Sequence, residues 1–533
     1  MAENQCCVCL GDYMLPIILN SGVTVCSSCV RKRCPLTHSN ITAEIVNDFI
    51  DKFFRILPPF SIYKLVKSQD KVAYMNQYDK FQPDDELLSH LRSHNFPLTM
   101  DEFKIFIDKC ADLEYVSSRD DWRIVHYICM YGSLEMLKYI ISKNVNLDST
   151  NNKCDGHLLH YACQYCNLET VQYLVDIGVD INCVDGMEQR PLHIACMSGK
   201  EAIGKVKCLV ENGADVNCVD INGCQPIHLA FDADANIIEI IKYLIDHGAD
   251  PHCKTINKGF QLIHLACCTD PDNDDGDDES KLQLVKFLVE KYGVDVNANT
   301  KSKMRPIHIA CNHPNDRYLE IVKYLVANGA DVNCAENRDG DYPLHIACIN
   351  QNEAIVNFLL SVGADVNCTD RIYMKYPIHK VCSSLGPKSL KIVNNLVEYG
   401  ADVNCTDYNG ECPIHAASFK NDDYGLSMIK YLVANGADIN CVSYNGRRPI
   451  HIACGNIYRK AAVQIIKYFV ENGADINCAD EDGDRPIHIA IKYSSNIVKI
   501  LIDGGAKCNV RSGNGESPFD YYGFLSICKN GDK

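Results

Sequence analysis

Ser443-Tyr-Asn-Gly-Arg-Arg-Pro-Ile-His-Ile-Ala-Cys-Gly455 and Tyr468-Phe-Val-Glu-Asn-Gly-Ala-Asp-Ile-Asn-Cys-Ala-Asp480 open and close the stretch whose reading decides the fold. It holds a turn with Pro-Ile-His behind it, a short apolar run, and a longer one that closes on Gly473-Ala474-Asp475-Ile476-Asn477. Nearly the same sentence recurs over the last four fifths of the chain. Its histidine marks the repeats at His126, His160, His193, His228, His264, His308, His345, His379, His415, His451 and His488. Successive gaps are 34, 33, 35, 36, 44, 37, 34, 36, 36 and 37 residues.

Each copy reads the same way. Asp-x-x-Gly, as in Asp220 to Gly223 and Asp480 to Gly483, makes a β-turn. Pro then starts a first helix, where its missing N–H costs nothing. The histidine behind it is placed to bond backbone groups of the turn. A second helix, as in Ile321 to Val326, runs to a C-cap glycine at Gly329, and Ala330 to Asn333 leads into the next turn. A period of about 33 residues carrying a Pro-Leu-His-x-Ala turn is the signature of a helical array. On these residues the chain from about 117 to its end resembles the ankyrin repeats. The resemblance implies an array of about 11 to 12 helix pairs that binds a protein partner on its concave surface and does no chemistry.

The 533 residues exceed what one compact core can serve, whereas a repeat array buries each unit against its neighbours. With 69 acidic and 52 basic side chains, the net charge of −17 argues against a nucleic-acid surface. No apolar run approaches the roughly 20 residues of a membrane span, and the N-terminus is not a secretory leader. The expectation is a cytoplasmic protein, with nuclear entry open.

Of the 31 cysteines, most lie in the repeats and two sets recur with them. Eight lie three positions after the repeat histidine, as in Cys196 and Cys454, where a thiol acts as a small apolar side chain. Eight more close a unit, seven after an Asn and Cys253 after His252: Cys183, Cys218, Cys253, Cys334, Cys368, Cys405, Cys441 and Cys478. Both sets are expected to be reduced packing thiols.

Residues 1–57 differ in texture. Cys6 and Cys9 form one Cys-x2-Cys pair, and Cys26 and Cys29 form another, with sixteen residues between. Four such thiolates are a tetrahedral ligand set for one structural Zn²⁺, with Cys34 and His38 as alternates for one ligand. This head resembles the RING and U-box modules of ubiquitin ligases in mixed form. The two pairs match one RING zinc site, while the positions of the second read Ser21, Val23, Cys34 and Thr37. Met14–Ile17, Ser21–Thr24 and Cys34–Thr37 follow the U-box pattern instead. The resemblance implies a small α+β module that docks a ubiquitin-conjugating (E2) enzyme through Val8, Leu10 and Pro35. The ubiquitin-clamping cation would fall on His38, where the family has Arg.

Pro58-Pro59 breaks the chain, and residues 58–116 read as helices that cap the array, with Asp84 and Thr99 as N-caps. Dimerisation is the alternative role. The acidic insert at 270–279 fails as a calcium loop, because Pro271 and Leu282 would occupy ligand positions; it reads as a solvated loop between two helices. The fold class is therefore mostly α: a zinc module (1–57), a helical cap (58–116) and a repeat array (117–533). Two functions compete. One is a ubiquitin ligase whose repeats choose the substrate; the other is a non-enzymatic scaffold with a purely structural zinc module.

Overall fold

The computed structural model describes residues 16–18, 24–26 and 99–518, less 111, 118–121, 149, 151–154, 234–235, 269–277, 314–315, 385, 421–422 and 456–460. In the head, β1 (Pro16–Ile18) and β2 (Thr24–Cys26) pair antiparallel, with Pro16 opposite Cys26 and Ile18 opposite Thr24.

The chain divides into two compact units, residues 1–221 with 232–243, and residues 222–231 with 244–533. The first unit contains α1 (Met100–Lys109), α2 (Ile124–Tyr131) and α3 (Leu134–Ile141). Thr99 caps α1 as expected: its hydroxyl accepts from the Glu102 N–H, and the Glu102 carboxylate accepts from the Thr99 N–H at 2.9 Å. Phe103, Phe106 and Ile107 bury the apolar face of α1, which packs on α3. The Asp84 cap lies outside the described residues. Further helix pairs stack behind, Leu158–Tyr165 with Leu168–Asp176 and Pro191–Met197 with Ala202–Glu211.

The second unit repeats the motif. First helices at Leu262–Ala266, Pro306–Cys311, Pro343–Ile349, Pro377–Ser383, Pro413–Phe419, Pro449–Gly455 and Pro486–Ile491 pack each on the next. Second helices, from Leu319–Ala327 to Ser495–Asp503, form a parallel layer. The core between the layers is Ile, Leu and Val from both, such as Ile307, Leu325, Ile378, Ile392, Ile414 and Leu432, none more than 1% exposed. Asp278 and Glu279, assigned above to the acidic insert, open the helix Asp278–Tyr292; residues 270–277 lie outside the described residues.

Every repeat histidine makes the same bond at its helix start. Nδ1 accepts the N–H of the residue three positions earlier, at 3.0 Å from Arg190 to His193 and 3.1 Å from Arg305 to His308. In His160, His228, His264, His308, His379, His415 and His488, Nε2–H then donates to a carbonyl of the following turn, as from His264 to Ala298 at 3.0 Å and from His379 to Glu411 at 2.9 Å. One imidazole thus ties a helix start to the turn ahead of it. Burial holds His264, His308, His345 and His379 down to about 4, so they stay neutral.

A second ladder was not anticipated. The Asn that closes a unit reaches across to the next: Asn333 Nδ2 donates to Gly363 O at 3.0 Å, and its Oδ1 accepts from Asp365 N at 2.8 Å. Asn182, Asn297, Asn367, Asn404, Asn440 and Asn477 donate to the next glycine carbonyl in the same way. The C-cap glycine and the Asn are therefore one joint: positive φ at Gly363 (90°) or Gly436 (89°) turns the carbonyl to the previous repeat.

Among the described residues of the repeats the cysteines are free and mostly buried, as expected of packing thiols. Burial pushes Cys163, Cys196, Cys311, Cys382 and Cys454 well above the usual thiol range. Each of the second set lies against its own repeat histidine, from 3.4 Å (Cys253 to His228) to 4.0 Å (Cys368 to His345).

Candidate partner-binding surface

The turns present the side chains most available to a partner. Most tips are built on their first residue, whose side chain accepts amide hydrogens of the loop it begins; at Ser443 the hydroxyl instead donates to Arg447 O at 2.9 Å. Asp407 Oδ1 takes those of Asn409 and Glu411 at 2.9 and 3.0 Å. Glu336 takes those of Arg338 and Gly340 at 2.6 and 2.8 Å. Burial works against the Glu336 charge, but this set of amides holds its carboxyl below the usual range.

The tips are then joined to one another. Within the second unit Asn257 N–H donates to Asn222 O, Lys301 to Lys258, Asn337 to Ser302, Arg371 to Asp339, Tyr408 to Tyr373, Tyr444 to Asn409 and Glu481 to Asn445, at 2.7 to 3.3 Å. Glycine permits this closeness. Gly446 has φ 73°, and a Cβ there would stand 2.7 Å from the Glu481 nitrogen. The result is a ribbon of turns tied tip to tip through the backbone.

That ribbon carries an apolar run. Ile372, Tyr373 and Met374 are 46%, 53% and 50% exposed, and Tyr408 and Tyr444 on the next two tips are 65% and 72% exposed. Large apolar side chains left in water on adjacent, rigid turns are a mark of an interaction site. An open groove of about 490 Å³ lies between the neighbouring tips, lined by Lys303, Asn337, Tyr342, Arg371 and Met374. The sequence reading places binding on the concave surface and does not single out this run. Its only signal was the aromatic after the turn Asp or Ser at Tyr408 and Tyr444.

Of the residues assigned to zinc or to E2 docking, Cys26 closes β2. Cys6, Cys9, Cys29, Val8, Leu10, Pro35 and His38 lie outside the described residues. Among the described residues no helix is long and apolar enough to cross a membrane.

Stacked two-helix units with hydrogen-bonded turn tips define a protein-binding repeat array. The family model described as "Ankyrin repeats (3 copies)" matches residues 98–185, 159–255, 276–370, 378–480 and 423–512, and the chain belongs to the ankyrin-repeat family. The match begins at 98, so α1, read above as part of a cap, falls within it. Mouse protein phosphatase 1 regulatory subunit 27 is 45% identical over 60 residues, 11% of this chain and 36% of that protein. Alpha-latrocrustotoxin-Lt1a from Latrodectus tredecimguttatus is 46% identical over 50 residues, 9% of this chain and 3% of the toxin. Alpha-latroinsectotoxin-Lt1a from the same spider is 38% identical over 55 residues, covering 10% and 4%. The chain thus spans about a third of the mouse relative's length and a few percent of each toxin's. Ankyrin repeats mediate protein–protein interaction, and this chain is built for it.

Proposed function

We propose that this chain holds a protein partner on its turn ribbon, anchored by Ile372, Tyr373, Met374, Tyr408 and Tyr444. The observation that carries this reading is the exposure of those side chains on tips joined to one another by backbone hydrogen bonds. Rigid aromatic anchors on a preorganised surface lose little entropy on binding. A photo-crosslinker at position 408 of the full chain tests it. Loss of the crosslinked partner in the Tyr444→Ala background supports the ribbon; unchanged crosslinking by a variant lacking Tyr373, Met374 and Tyr444 overturns it.

A finer reading rests on the sequence of residues 1–57. In it the head binds one Zn²⁺ through Cys6, Cys9, Cys26 and Cys29 and docks a charged E2 through Val8, Leu10, Pro35 and His38. The array then acts as substrate receptor of a ubiquitin ligase. The reduced thiols of the repeats suit the cytoplasm. Autoubiquitination by the full chain against a panel of E2 enzymes tests this. Chains that form with wild type and vanish with Pro35→Ala, zinc content unchanged, support it; zinc bound without activity leaves the scaffold.

A further inference from the structure

Among the described residues one group brings three soft donor atoms together: Cys412 Sγ, His415 Nδ1 and Cys441 Sγ lie within 4.8 Å of one another. Cys412 and His415 are buried and Cys441 is half-buried. We propose that Cys412, His415 and Cys441 form a Zn²⁺ site that staples two consecutive repeats.

The repeat pattern itself shows why the site falls here. Seven other repeats pair the closing cysteine with the repeat histidine at similar distance, but two ligands do not hold zinc. The third comes from the residue just before the helix-starting proline. That position is Arg123, His157, Arg190, Gln225, Gln261, Arg305, Tyr342, Tyr376, Arg448 or Arg485 in the other repeats, and Cys412 only here. It creates a Cys-x2-His motif whose members start one helix, completed by Cys441 from the next repeat.

The distances suit a tetrahedral centre. Zn–S near 2.3 Å and Zn–N near 2.0 Å place sulfur and nitrogen about 3.5 Å apart. Cys441 Sγ lies 3.5 Å from His415 Nδ1. His415 Nε2 lies 3.1 Å from Arg447 O, the donor bond that leaves the lone pair on Nδ1 and orients the ring. That lone pair now accepts the Cys412 N–H at 3.0 Å, a bond exchanged for the metal. Metal binding releases the thiol protons to solvent and leaves one tetrahedral position for water.

The test is metal content of the full chain purified under reducing conditions, wild type against Cys412→Arg. Arginine already stands at this position in five other repeats, so the fold accepts it. A second variant, Cys405→Ser, removes a cysteine of the same ladder that has no third ligand. Any zinc held by the head is common to all three and cancels. Expected are one zinc equivalent lost in Cys412→Arg and none in Cys405→Ser, and a Co²⁺ thiolate charge-transfer band reduced in Cys412→Arg alone. Equal zinc and equal Co²⁺ spectra in wild type and Cys412→Arg would overturn the proposal.

Discussion

Lys380 Nζ lies 2.7 Å from the Asp370 carboxylate, whose side chain is 1% exposed, and 2.8 Å from that of Asp341. Lys380 follows the repeat histidine, where other repeats carry apolar residues such as Ile309, Ile346, Ala416 and Ile452. Burial works against its charge, but the two carboxylates hold its pKa above that of an ordinary lysine. Asp370 also accepts the Tyr373 N–H at 2.8 Å, so this cation steadies a tip of the proposed docking ribbon.

Replacing Lys380 by Met should therefore cost about 3 kcal/mol, because it leaves Asp370 buried without its counter-charge. Adding Asp370→Asn should restore part of the loss. Urea unfolding of the full chain checks both, and equal midpoints for wild type and Lys380→Met would remove the ion cluster from the account of stability.

The neutral histidines set an acid limit. An unfolded imidazole titrates near 6.5, whereas His264, His308, His345 and His379 are held down to about 4. Their contribution is complete above pH 6.5 and is lost as pH falls from 6.5 towards 4, since the unfolded chain takes up protons that the folded one refuses. The slope is about 1.4 kcal/mol per pH unit for each histidine. Melting temperature followed from pH 7.5 to 4.5 should fall steeply below 6.5; a flat profile would contradict the neutral ladder.

Asn404→Ala deletes the bond to Gly436 O at 2.9 Å and the acceptor of Asp438 N–H at 2.8 Å. Both are solvent-exposed, so a loss of about 1 kcal/mol is expected. Hydrogen exchange at the Asp438 amide should quicken, while the Asp331 amide, held by Asn297, should not.

Two glycines with the same backbone sign should respond differently. Gly473 has φ 80° and open space around it, so Gly473→Ala costs only the left-handed strain of roughly 1–2 kcal/mol. At Gly446 the new methyl also meets the Glu481 nitrogen. Gly446→Ala should be the more destabilising of the two in thermal melts.

Tyr444→Ala should leave stability within about 0.5 kcal/mol of wild type, because the ring is mostly in water. Its effect should appear in partner capture, weakened about tenfold, or 1.4 kcal/mol. A stable variant with unchanged capture would move the anchor elsewhere.

The recurrence of one unit was enough to establish the architecture. The proline that starts one helix and the glycine that stops the next are local, and the histidine returns at nearly constant spacing, so helix pairing and period could be read directly. The histidine and the cysteine three residues on were legible for the same reason: a helix start and a helix face lie within four residues of sequence. What depended on the stacking of one unit against the next was not legible. Asn404 meets Gly436, Lys380 meets Asp341, Tyr408 joins Tyr373, and Cys441 comes to His415 across roughly 30 residues. Each such meeting depends on the register of two repeats, and insertions of a residue or two between histidines shift that register unit by unit. Cys412 shows the limit most plainly: Cys-x2-His stood in the sequence, but the repeat made its histidine look structural. Only the packing of the following turn brought a second sulfur to it.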